Sequence, residues 1–173
     1  MFKKNSIKGG LALPFLRLSR GFVRPLAIAL LAAFLLCGCR MIAPLPPANV
    51  SAPGWKRYTG QAVWRSDRHS PEIAGDLFVA INPDGRSFVQ FTKTPFPMVI
   101  AQTTADAWQI EDPRAKRIYA FRGRPPAGLI WLQLPASLGG TTPKKLRWTQ
   151  DAQGEFRLEN PSSGEVLDGF LSP

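Results

Sequence analysis

Among the residues whose side chains do chemistry, one stands in a pattern that chemistry would use. Cys39 follows Gly38, and the branched apolar Leu36 lies three positions before it. A small residue lets a peptidase approach the backbone closely, and the thiol beyond it is placed to take a diacylglycerol through a thioether. The bland alternative is a plain signal peptide with an incidental cysteine. Cys37 would leave with the leader and Cys39 would carry the lipid, so the mature fold is expected to hold no disulfide. The single histidine, His69, sits in the loop-like stretch RSDRHSPE and reads as solvated, which excludes metal sites built from His and Cys. The acids are scattered, and no GxSxG is present. Asp84-Gly85 and Ser162-Ser163-Gly164 read as turns. The expectation is a protein that is not an enzyme and has no cofactor beyond an acyl-diacylglycerol anchor on Cys39.

The element that would present Cys39 is the apolar run Leu26–Leu36. Its 11 residues suit a secretory leader and fall short of the ~20 that a bilayer-spanning helix needs. Leu36-Cys37-Gly38-Cys39 looks like a bacterial lipobox, with Lys3, Lys4, Lys8, Arg17, Arg20 and Arg24 ahead of the apolar run. Those six cations, with no acid among residues 1–38, supply +6 of the formal net charge of +10. Removal of residues 1–38 would leave 135 of the 173 residues, with 16 basic and 12 acidic side chains, a net +4. A nucleic-acid partner is therefore not expected. The remaining chain is long enough for one core and needs no second domain. The organisation reads as a leader over 1–38, an anchor and Pro-rich tether over 39–55, and one β domain over 56–173.

Arg40–Gly54 has four prolines and few charges. It reads as an extended tether, with an ordered N-terminal arm as the other possibility. Beyond it the hydrophobic period becomes two. Tyr58, Gly60, Ala62 and Trp64 alternate with Thr59, Gln61, Val63 and Arg65. Gly75–Ile81 is the next strand candidate, and Asn82-Pro83-Asp84-Gly85, where Pro presets φ and Gly accepts φ > 0, joins Leu77–Ile81 to Ser87–Thr92 as a hairpin. Lys93–Pro97 is expected to interrupt the sheet, because neither proline donates to a ladder. Met98–Thr103, Ala107–Glu111, Arg117–Phe121, Leu146–Thr149, Phe156–Glu159 and Glu165–Leu171 complete about nine short strands. Gly123–Leu134 is the one helical candidate, with Pro125 and Pro126 at its first turn. The pattern predicts an all-β or mainly β sandwich or barrel.

Large apolar side chains are abundant for so short a domain. Most belong in a core, where each large aromatic buries ~150–250 Å². A curved sheet with little helix to cover it leaves room for a concave apolar face able to take an acyl chain. The expected lining is Trp64, Phe78, Phe91, Val99, Trp108, Ile110, Trp131 and Trp148, although alternation alone leaves open which face turns inward. Phe96, bracketed by Pro95 and Pro97, either folds back onto the core or stands out at a loop tip.

The order of these pieces resembles the LolB-type outer-membrane lipoproteins of the LolA/LolB carrier superfamily. The likeness runs over roughly residues 57–160. It rests on Gly60-Gln61-Ala62-Val63-Trp64, on Phe88–Thr92 followed by Lys93-Thr94-Pro95-Phe96, and on the next three strands in order. Ile130-Trp131-Leu132-Gln133-Leu134-Pro135 and then Gly139-Gly140 is similar to the family's tryptophan-containing segment. The chain departs from the family in lacking a long amphipathic helix after its first strand and a glycine before Leu134-Pro135. The resemblance implies a strongly bent antiparallel sheet forming an incomplete β-barrel with an apolar concave face. It implies a monomer that accepts lipidated cargo proteins from a periplasmic carrier and inserts them into the outer membrane without covalent chemistry. Phe96 would then be the loop residue that touches membrane lipid. Arg40, where the inner-membrane retention signal is Asp, implies an outer-membrane address facing the periplasm. The alternative class is an envelope lipoprotein that binds a partner or scaffolds an assembly and has no lipid cavity.

Overall fold

The structure, a computed structural model, describes residues 42–173; Cys39 and the expected leader over 1–38 lie outside the described residues. Nine strands are present: β1 (Lys56–Arg65), β2 (Ile73–Ile81), β3 (Ser87–Lys93), β4 (Phe96–Thr103), β5 (Ala107–Asp112), β6 (Arg117–Arg122), β7 (Arg147–Gln150), β8 (Glu155–Asn160) and β9 (Glu165–Ser172). One helix, α1 (Ile130–Leu138), separates β6 from β7. The strands form a single antiparallel sheet in the order β6-β5-β4-β3-β2-β1-β9-β8-β7. β6 and β7 are its two edges and do not pair, so the sheet is bent but unclosed, an incomplete barrel. The described residues pack around one hydrophobic core of their own.

Period-two alternation decides what faces the interior. Across β1, β2, β3 and β4 the pairs Tyr58↔Val79, Gly60↔Leu77, Leu77↔Phe91, Val79↔Val89 and Phe91↔Val99 put one apolar set on the concave side. β9 and β8 continue it through Trp64↔Leu167 and Leu158↔Leu167. The bend has two local causes. The β3/β4 register slips between Phe91 and Thr92, where Pro97 cannot donate to the ladder. Gly169 sits against β1 so closely that a Cβ there would lie 2.1 Å from the Gln61 carbonyl oxygen.

The β2–β3 hairpin forms as its spacing predicts. Gly85 has φ +91° and its N–H donates to the Asn82 carbonyl at 3.0 Å, while the Asn82 side chain accepts from the Asp84 N–H at 3.2 Å. Three expectations need correction. Lys93–Pro97 does not interrupt the sheet. It closes a tight hairpin, Lys93 pairs with Phe96, and the bulge absorbs the missing Pro97 donor. The helix is not Gly123–Leu134. Pro125 and Pro126 lie ahead of it, and the Gln133 amide donates to both their carbonyls, at 3.3 and 3.1 Å. Leu129 caps the start in an extended conformation. At the far end Thr141 donates to Ala136 and Gly140, at φ +81°, donates to Ser137, a Schellman stop.

The third correction concerns residues 42–54, which are an ordered arm rather than a free tether. Ile42 donates to the Ala120 carbonyl of β6 at 3.3 Å, Leu45 to the Gln109 side chain of β5 at 2.7 Å, and the Gln102 side chain of β4 donates to the Pro46 carbonyl at 3.3 Å. Gln102 and Gln109 are paired on the convex face and are both buried. The arm covers these two amides and also supplies a partner to each, so their burial leaves neither side chain unsatisfied.

Candidate functional site

The chain leaves the sheet at edge β6 and returns at edge β7, so α1 must cross between them. It packs against β2, β3, β4, β5 and β8 on the concave side. Ile130, Trp131, Leu132, Gln133, Leu134, Pro135 and Ser137 are all buried, so the helix is enclosed almost all round. Trp131 stands between two sheet aromatics. Its ring lies 5.3 Å from Trp64, edge-on at 72°, and 5.4 Å from Phe91. Trp64 meets Phe91 at 6.2 Å, also edge-on. Edge-to-face contacts of this kind stabilise by about 0.5–1.5 kcal/mol beyond area burial.

Beside this triad lies a cavity of about 210 Å³, walled by Trp64, Met98, Val99, Ile110, Leu129 and Trp131. Glu111, Asp112, Arg114, Tyr119 and Glu165 supply its polar margin. The Trp64 indole N–H donates to Glu165 at 3.1 Å. Burial pushes the Glu165 carboxyl up to about 7, and the Trp64 hydrogen bond opposes that rise only in part. A second, open depression of about 600 Å³ runs from Met98 and Arg114 past Pro113 to Phe96. Met98 and Arg114 border both spaces, so the apolar cavity and the β3–β4 tip occupy one end of the sheet. Phe96 is 68% exposed at that tip.

The residues singled out from sequence divide into three groups. Trp64, Val99, Ile110 and Trp131 line the cavity together. Phe91, Trp108 and Trp148 are on the concave side but are spent in packing. Phe91 is fully buried, Trp108 stacks on Phe121 at 4.9 Å, and Trp148 stacks on Phe156 at 5.6 Å. Phe78 is on the other face and is a correction. Leu77 and Val79 point inward, so Phe78 between them points out, opposite Thr59 and Gln90, with its ring 6.1 Å from Phe88. Sequence reasoning passed over Met98, Leu129, Tyr119 and Glu165. For Glu165 the only signal was parity with Leu167, and the adjacent apolar Val166 hides that phase.

Among the described residues no three His, Cys, Asp or Glu side chains group closely enough to hold a metal ion. No model of a known protein family matches the chain, and no curated protein matches it. The fold and site define a class by themselves: an open, bent antiparallel sheet with an apolar concave face, a helix laid across it and an exposed phenylalanine beside the remaining cavity.

Proposed function

We propose that this chain is a lipid-anchored envelope protein that accepts acylated proteins from a soluble periplasmic carrier and hands them to the outer membrane. The anchor is a diacylglycerol on Cys39. The handover is non-covalent: acyl chains move between apolar surfaces, and direction follows from differential affinity. The observation that carries this reading is the exposed Phe96 at the end of the sheet where the apolar cavity sits. An isolated exposed apolar residue needs no explanation, but one at a tight hairpin tip beside an apolar cavity does.

A specific observation also favours the alternative, a partner-binding or scaffold module. Helix α1 packs across the concave face, and the apolar cavity beside Trp64 and Trp131, at about 210 Å³, is below the ~300–1,000 Å³ of usual small-molecule pockets. An acyl chain longer than the cavity requires α1, or the Leu129 segment before it, to move off the Trp64 and Phe91 rings. The two readings separate in a direct binding measurement. The domain alone, residues 42–173, is mixed with a fluorescent fatty-acyl probe and titrated with an acylated cargo protein. Saturable probe binding that acylated cargo displaces, and unacylated cargo does not, supports the carrier reading. No saturable binding at any concentration supports the scaffold reading.

A further inference from the structure

The segment Pro113–Arg124 carries Arg114, Lys116, Arg117, Arg122 and Arg124 and no acid. It forms the β5–β6 turn, the edge strand β6 and the residues just beyond. All five cations are exposed. Among the described residues only Arg114 has an acidic partner, Asp112 at 3.8 Å, and the other four make no ion pair. Among the described residues, two of the four exposed large hydrophobic side chains, Ile118 at 37% and Tyr119 at 43%, stand next to each other in this edge strand and point to its two faces. A third, Phe96, borders the depression that reaches Arg114, with the exposed Lys93 at the same tip.

We infer that edge β6, together with the β3–β4 tip, is a docking surface for a bilayer with anionic headgroups. Cations that lack protein partners are complemented by headgroup phosphates, at about 1 kcal/mol for each Lys or Arg near a charged leaflet. Apolar and aromatic side chains placed among them match the headgroup and acyl boundary, where a tyrosine buries its ring and leaves its hydroxyl wet. A nucleic acid or an acidic protein would use the cations and leave Phe96 and Ile118 without a role. The described chain also enters the domain here, through the Ile42 to Ala120 hydrogen bond, so an anchor on Cys39 is joined to the fold at this same edge. Tyr119 and Arg114 border the apolar cavity, so docking on β6 turns the cavity mouth toward the lipid.

This inference goes beyond cargo transfer and stands or falls separately from it. The test uses residues 42–173 and flotation with vesicles of phosphatidylcholine alone or with about one-third phosphatidylglycerol. Binding to the anionic vesicles only, weakening as salt rises, is expected. The variant Lys116→Glu/Arg117→Glu/Arg122→Glu should bind about a hundredfold more weakly. The variant Lys144→Glu/Lys145→Glu/Arg147→Glu, at the opposite edge, should bind as wild type does. Should the first variant fail to fold, hydrogen exchange on vesicle-bound wild type decides: protection gained over 113–122 upholds the inference. Equal binding to both vesicles, equal loss from both variants, protection elsewhere, or binding of polyglutamate or duplex RNA without vesicle binding would each overturn it. Acyl-probe binding separates the two proposals, because the β6 variant should keep it.

Discussion

At the scale of single residues, the informative side chains are polar ones placed against apolar walls. Glu165 is half-buried, accepts from Trp64 and has a carboxyl pushed up to about 7. Its folded value lies above its ordinary value of 4.5, so the folded state holds the proton more tightly than the unfolded chain. Stability is greatest below the ordinary value and falls as pH rises through the folded one. The melting temperature should therefore drop between about pH 4.5 and pH 7. Glu165→Gln should flatten that dependence and leave the variant the more stable protein at pH 8. A wild-type profile that rises over this interval would contradict the account. The composition pattern made the aromatic residues legible and this carboxyl illegible. A tryptophan announces burial by its size, whereas Glu165 is inward only because the β8–β9 turn fixes the phase of its strand. Phe78 fails for the related reason that Leu77-Phe78-Val79 offers three apolar residues and only pairing decides between them.

At the scale of elements, turns and strands were legible because their signals are local. Asn82-Pro83-Asp84-Gly85 needs nothing from the rest of the molecule to turn. The helix was less so. Its start is set by Gln133 reaching back to Pro125 and Pro126 and by the face it must cover, and Pro135 inside it argues against helix on propensity alone. The sequence of 42–54 does not by itself separate a tether from an ordered arm, because the arm's partners, Gln102, Gln109 and Ala120, lie more than 50 residues away. The bend of the sheet gives a prediction at this scale. Gly169→Ala would place a methyl 2.1 Å from the Gln61 carbonyl oxygen and 2.6 Å from the Ala62 Cα, both backbone atoms that cannot rotate away. Denaturant unfolding should show a loss at or above the upper end of the usual ~0.5–3 kcal/mol. Gly139→Ala, at φ −81° with nothing nearer than 3.4 Å, should change stability by less than ~0.5 kcal/mol. Similar losses at the two sites would mean that close strand approach does not shape the sheet.

At the scale of the whole molecule, the described chain makes an unclosed sheet and lays helix α1 across its concave face. That arrangement leaves a small cavity, an exposed phenylalanine and a row of cations at neighbouring places on one side. In the carrier reading these are successive stations: headgroups meet the cations, Phe96 enters the interface, and an acyl chain passes from the cavity margin into the bilayer. Phe96 is 68% exposed and lies outside the hydrophobic core, so Phe96→Glu should leave the melting temperature nearly unchanged, unlike the ~3–5 kcal/mol that Phe→Ala costs in a core. The most direct measurement loads wild-type and Phe96→Glu protein with an acylated cargo and follows cargo arrival in vesicles over time. The account predicts equal loading, and delivery slowed by about tenfold or more in the variant, since ~1.5–3 kcal/mol of interfacial burial is lost. Equal delivery by the two proteins, or a variant that unfolds, would contradict it.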